Sequence, residues 1–281
     1  TCYGSLPREG LTIIGSMALV ALPVLITITL WKIPEREAYP RPKAPVLKHA
    51  KDMFSNGSFM LLFFGFMLMS LGTGWGSALF MLFATYVVEA EGQTQAILLG
   101  YFGANVISLP FWVLVAERIG KKPTWIIGGV LFVLVTPSFL LLGPGDLSGF
   151  FLCLALYGVA GGNFGALSMS MKADVIEIAS RKSSENIAGS YIAIWSLGSK
   201  MVGALALGIS LPLLEAMGFD PKGGNSAEEI QALAWMYVIP PWIFYATAVC
   251  FIWRYPISAT RLEKIRSAFL RRDKRREQAT L

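Results

Sequence analysis

The chain has 281 residues, of which 54% are hydrophobic and 15% charged, against the roughly 25% charge usual in a soluble domain. Its charges sum to +6 and cluster between long apolar stretches, which is the pattern of a membrane protein and argues against a nucleic-acid binder. The single histidine, His49, and three scattered cysteines, Cys2, Cys153 and Cys250, argue against a histidine metal centre, a His-dependent triad and a disulfide framework.

Seven stretches are apolar for about 20 residues or more, enough to cross ~30 Å of hydrocarbon: 11–31, 59–88, 94–115, 124–142, 150–171, 187–214 and 232–253. The fold class expected is all-α, a polytopic transmembrane helix bundle. The first stretch is too long for a signal-peptide core and follows no basic leader, so it reads as a span. After it comes a linker with Pro34, Pro40, Pro42 and Pro45, which should be extended and solvent-facing. Glycines cluster in the second span (Gly72, Gly74, Gly76), the fifth (Gly158, Gly161, Gly162, Gly165) and the sixth (Gly198, Gly203, Gly208). Small residues of this kind let helix backbones approach closely. Pro110, Pro137, Pro240 and Pro241 lie inside spans, where each removes a backbone donor and can kink its helix.

Charge sets the expected topology. Lys32, Arg36, Arg41, Lys43, Lys48 and Lys51 follow the first span; Arg118, Lys121 and Lys122 the third; Lys172, Arg181 and Lys182 the fifth. Nine further Lys and Arg residues, Arg254 to Arg276, follow the last, whereas the alternate loops hold only Arg8 and Lys222. The positive-inside rule places the basic group in the cytoplasm, with the N-terminus outside and the tail inside. The basic tail reads as a topology anchor beside anionic lipid. Leu262, Ile265, Phe269 and Leu270 recur there at near-helical spacing, so a partner-docking amphipathic helix is the alternative.

Lys200 stands out within the sixth span, in an apolar run from Tyr191 to Ile209. Counted from Ile187 it lies about 20 Å deep at ~1.5 Å per residue. An ionised group at that depth costs roughly 3 kcal/mol on insertion scales, so it normally faces a polar cavity and marks a substrate or ion pathway. The bland alternative is a lysine paired with a carboxylate that joins two helices.

The stretch Lys172-Ala-Asp-Val-Ile-Glu, followed by Asn186-Ile-Ala-Gly-Ser-Tyr-Ile-Ala-Ile-Trp-Ser-Leu-Gly-Ser-Lys, resembles the end of helix ten and helix eleven of the glycoside–pentoside–hexuronide:cation symporters, within the major facilitator superfamily. Ala116-Glu-Arg-Ile-Gly-Lys-Lys-Pro resembles the family's loop between helices eight and nine, and Arg254-Tyr-Pro-Ile-Ser-Ala-Thr-Arg-Leu-Glu-Lys-Ile its helix-twelve exit. The resemblance implies two six-helix halves around a central site that alternates its access, with sugar uptake coupled to Na+ or H+. It also implies a division of this chain: 1–31 as the last helix of an N-terminal half, 32–56 as the cytoplasmic central linker, 57–257 as the C-terminal six-helix bundle, and 258–281 as a basic cytoplasmic tail. About five upstream helices are then expected outside the chain. Among them would be helices two and four, whose carboxylates hold the coupling cation in the family.

Residue by residue, the resemblance puts Lys200 on a helix-eleven lysine near the cation and sugar sites. It puts Ser196 and Trp195 on nearby polar positions, and Asp174 and Glu177 on acidic positions that help close the cytoplasmic gate. Residues three to five apart on a helix can share a broad face, so Trp195, Ser196 and Lys200 are expected to act together. The departures are Asn186 in place of an arginine, Ala188 in place of an acidic residue, and Gly165 where melibiose-type members carry an aromatic. That last change puts galactoside specificity in question.

Other candidates carry two readings each. Asn105 and Asn163 could bond a substrate hydroxyl or tie neighbouring helices at ~1 kcal/mol each. Trp75 and Tyr191 offer flat faces suited to a sugar ring, or serve as belt and bulk; Tyr101 lies nearer a helix start. Arg118, Lys121 and Lys122, with Glu117 and Gly120, form either a charge latch against Asp174 or a topology-setting turn. The leading expectation is a cation-coupled symporter of a sugar or glycoside, with no cofactor or metal, in the bacterial inner membrane. Its partners would be a small solute, the coupling cation, lipid and the missing N-terminal half. A lysolipid carrier of the same superfamily and a non-transporting membrane scaffold are the alternatives. An enzyme is not expected, since the spans hold no metal pattern, nucleophile elbow or convergent acidic pair.

Overall fold

A computed structural model describes residues 6–32, 53–90, 92–182, 188–256 and Ser267. The proline-rich linker, His49, Asn186 and the apolar residues of the basic tail therefore lie outside the described residues. Two compact units are distinguished, 1–43 and 44–281. The first contains α1 (Leu6–Lys32). Pro23 interrupts its backbone donors, and Thr27 Oγ1 donates to Pro23 O at 2.7 Å, Thr29 Oγ1 to Leu25 O at 2.8 Å. These hydroxyls find their partners within their own helix, as an apolar surrounding demands.

The second unit contains six long helices: α2 (Gly57–Tyr86), α3 (Thr94–Ile119), α4 (Lys121–Val135), α5 (Leu147–Lys182), α6 (Ala188–Ala216) and α7 (Ala227–Trp253). The all-α expectation holds among the described residues, and seven helices are long and apolar enough to cross a membrane. Three differences from the hydropathy reading have a clear local cause or consequence. The fourth span is not one helix: α4 stops at Val135 and the chain tightens into a 3-10 turn, Thr136–Leu141, with Pro137 at its start. Proline suits the first turn of such a segment because its missing donor would be orphaned there anyway. α5 runs 36 residues, about 54 Å at 1.5 Å each, so its charged end continues beyond the hydrocarbon. α7 begins five residues early because Ser226 and Glu229 form a reciprocal capping box, a signal present in the sequence as Ser-Ala-Glu-Glu.

The packing pattern repeats. α2 lies against α6 and α7, α5 lies against α3 and α4, and α4 meets α7. Exchanging the triad α2–α3–α4 for α5–α6–α7 reproduces each of these pairings. A triad has an odd number of spans, so the two triads cross the membrane in opposite senses, the arrangement of an inverted repeat. Glycine makes the α3–α5 seam close. A methyl group added at Gly162 would meet Asn105 O at 2.6 Å, and across the same seam Trp112 Nε1 donates to Val159 O at 2.7 Å.

The buried side chains form two clusters. One, at the Lys121/Asp174 end, includes Phe59, Trp125, Trp195 and Ile252. The other, at the opposite end, includes Phe83, Phe139, Phe150 and Leu233. Tyr157 packs against both, and its hydroxyl is hydrogen-bonded to that of Tyr245.

Candidate functional site

At the first of these ends Gly120, with φ 93°, adopts a backbone conformation that side-chain-bearing residues rarely tolerate. The turn it makes aims the next two lysines at different helices. Lys121 Nζ pairs with Asp174 Oδ2 of α5 at 2.5 Å. Lys122 Nζ donates to Trp253 O at 2.8 Å and Tyr255 O at 2.7 Å, closing the carbonyl end of α7, where a positive charge also meets the helix dipole. Tyr255 is buried beside them. Burial chiefly, and the Asp174 charge next, push its phenol above its ordinary pKa. Arg118 is exposed and pairs with no carboxylate among the described residues, and Glu177 is half-buried one turn beyond Asp174. The ion pair expected against Asp174 is thus made by Lys121, with both partners in the same six-helix unit.

α6 divides the residues expected to act together. Tyr191 and Trp195 are buried against α2, with Phe59 4.9 Å from the Tyr191 ring and Phe66 4.7 Å from that of Trp195. The Lys172 ammonium sits 5.4 Å above the Trp195 ring, a cation–π geometry. Ser196 and Lys200 are exposed. The cause is helical phase. A step of four residues returns to within about 40°, which groups Tyr191 with Trp195 and Ser196 with Lys200, whereas the five-residue step from Trp195 to Lys200 lands about 140° away. The single broad face is therefore corrected to two. Lys200 stands about 18 Å along α6 from Ala188, flanked by exposed Leu197 and Met201.

Asn163 is 1% exposed, and its Nδ2 donates to Thr124 O at 2.7 Å, joining α5 to α4. Gly128 leaves the room for its amide. Asn105 is half-buried in the α3–α5 seam opposite Gly161. Trp75 is buried, and its Nε1 donates to Met236 O at 2.9 Å. That carbonyl has no helical donor, because the residue four positions on is Pro240. The same device recurs where Trp242 Nε1 donates to Val133 O at 3.1 Å, four residues before Pro137. In each case a neighbouring helix supplies the donor that proline removed, as membrane burial requires.

A cavity of 310 Å³ lies between α2, α3, α5 and α7, toward the end opposite Lys121 and Asp174. Thr73, Ser77, Tyr101, Tyr157 and Tyr237, which carry hydroxyls, line it together with Phe80 and Phe102. Thr73 Oγ1 donates to Ser70 O and Ser77 Oγ to Thr73 O, which leaves their lone pairs as acceptors. Sequence reasoning noted Tyr101 and missed the rest. A usable signal was there: Tyr101, Tyr157 and Tyr237 each lie about 10–15 Å from the start of their helix at 1.5 Å per residue, and all three helices start at the same end of the unit.

Comparison with known proteins shows what the chain is similar to. It is 23% identical to the human (Homo sapiens) sodium-dependent lysophosphatidylcholine symporter 1 over 90% of its own length and 48% of that protein's. The Gallus gallus symporter of the same name is 22% identical over 78% and 42%. The glucuronide carrier protein homolog of Escherichia coli strain K12 is 23% identical over 75% and 46%. The chain spans about half the length of the curated relatives it matches. Its residues 3–259, every described helix among them, match one family over most of the chain, and it therefore belongs to the MFS/sugar transport protein family.

Proposed function

We propose that the chain contributes one six-helix half to a cation-coupled secondary transporter that moves a sugar or glycoside by alternating access. The observation that carries this reading is Lys200, exposed on α6 at a depth where a charge facing lipid costs roughly 3 kcal/mol. A second half packed over that face would turn the exposed amine into a lining group of a polar pathway, with Ser196 one turn away. The coupling ion is Na+ or H+, held mainly by groups outside this chain. The Lys121/Asp174 end faces the cytoplasm by the charge rule, and the contacts of Lys121 and Lys122 hold α4, α5 and α7 together there as the gate moves. The protein resides in the bacterial inner membrane.

A second reading rests on Gly165. It is exposed, and a methyl group added there would meet nothing within 4 Å. Open space at that position suits an amphiphile with an acyl tail, in line with similarity to a lysophosphatidylcholine symporter. Solute counterflow in vesicles carrying the intact protein separates the two. The panel is hexosides, pentosides, uronides and lysolipids, with and without Na+, beside Lys200→Ala. A sugar signal that Lys200→Ala abolishes is the expected result, and a lysolipid signal alone selects the second reading. Full transport by Lys200→Ala refutes the pathway assignment, and silence with protein verified in the membrane favours a scaffold.

A further inference from the structure

Resting on the transporter reading, we propose that the cavity between α2, α3, α5 and α7 is a binding subsite for a neutral hydroxylated ring, such as the sugar of an uncharged glycoside. Tyr237 is 8% exposed and lines the cavity, yet its hydroxyl has no hydrogen-bond partner among the described residues, and neither has that of Tyr101. Both hydroxyls can be reached by a ligand, since neither is among the enclosed unpartnered side-chain atoms, Ser180 Oγ and Ser210 Oγ. These two hydroxyls are therefore poised to bond something that enters from outside.

The lining says what that is. Tyr101 and Tyr237 have protons to donate, while Thr73 and Ser77 spend theirs on their own helix and offer acceptors. Donors and acceptors interleaved around one space match a polyol, whose every hydroxyl needs both. Phe80 and Phe102 supply flat apolar walls for the C–H face of a ring. No charged side chain lines the cavity among the described residues. A carboxylate or phosphate placed there would lose its water without a counter-charge, so neutral rings are preferred over uronides and lysolipid headgroups. The volume, 310 Å³, is at the small end of ligand sites. The hydroxyls are also held in place beforehand. The Tyr237 ring stacks on Phe83 at 4.2 Å, and the Tyr157 hydroxyl is tethered to Tyr245, so little ordering is left for binding to impose.

The test is equilibrium binding to the intact protein in lipid nanodiscs. The probes are p-nitrophenyl glucoside, galactoside, xyloside and glucuronide, a monodeoxy series of the tightest binder, and lysophosphatidylcholine as competitor. The variants are Tyr101→Phe and Tyr237→Phe, which remove hydroxyls without internal partners and so leave the fold its bonds. Each should weaken a neutral glycoside by roughly 3- to 10-fold, the value of one hydrogen bond. One deoxy analogue should show the same loss in the unsubstituted protein and no further loss in the variant. Unchanged affinity in both variants overturns the subsite, as does tightest binding of the glucuronide or of lysophosphatidylcholine, or no glycoside binding at all. Counterflow in vesicles carrying the same proteins separates the two ideas. Tyr-dependent binding without counterflow keeps the subsite and sinks the transporter; sugar counterflow indifferent to both variants does the reverse.

Discussion

Trp75 and Pro240 should be energetically coupled although they lie on different helices. Trp75 Nε1 donates to Met236 O at 2.9 Å, and that carbonyl lacks a helical donor because residue 240 is proline. Trp75→Phe leaves the buried carbonyl unpaired, at a cost of about 1–3 kcal/mol, beyond what the smaller ring loses in packing. Pro240→Ala restores a backbone N–H four residues on from Met236. In that background Trp75→Phe should cost only the packing part. The expected coupling is about 1–2 kcal/mol, equivalent to roughly 2–8 °C in thermal midpoint for a domain of this size. The assay is thermal unfolding in detergent of the four members of the cycle, read by thiol-dye labelling of the buried Cys153, with Cys2 and Cys250 replaced by serine. Additivity of the two substitutions within about 0.5 kcal/mol would refute the account, since the indole would then be bonding a carbonyl that does not need it.

Two further outcomes follow from the Lys121/Asp174 end. Lys121→Met and Asp174→Asn should each destabilise, and a double-mutant cycle should return a coupling of about 1–2 kcal/mol. That figure is held down by the partial exposure of Lys121, which screens the pair, and a value near zero would reduce the pair to a surface contact. Tyr255 predicts an alkaline limit. Because its folded pKa is raised, its contribution is fully present below the unfolded value of roughly 10 and is lost as pH rises above it. Tyr255→Phe should flatten the fall in thermal midpoint between about pH 9 and about pH 12, and equal slopes in the two proteins would contradict the burial argument.

Much of this molecule is legible along the chain because hydropathy and charge are local properties. Seven apolar stretches, basic loops alternating with loops nearly free of Lys and Arg, and glycines spaced for close packing can all be counted without knowing any contact. The capping box that starts α7 could have been read as well. Helix phase could not. α2 to α7 are apolar on nearly every side, so no amphipathic stripe says which side meets the bundle. Trp195 and Ser196 are adjacent in sequence, yet one is buried and the other exposed.

Legible along the chain are therefore a membrane bundle, its approximate spans, and a lysine set deep within one of them. Pairing at a distance needed the tertiary structure: which tryptophan meets which carbonyl left bare by proline, that Lys121 and not Arg118 reaches Asp174, and that tyrosines from three helices line one small space. Each of these depends on the rotation and depth at which helices far apart in the chain come together. Those are set by the interlocking of whole surfaces, which no single helix encodes.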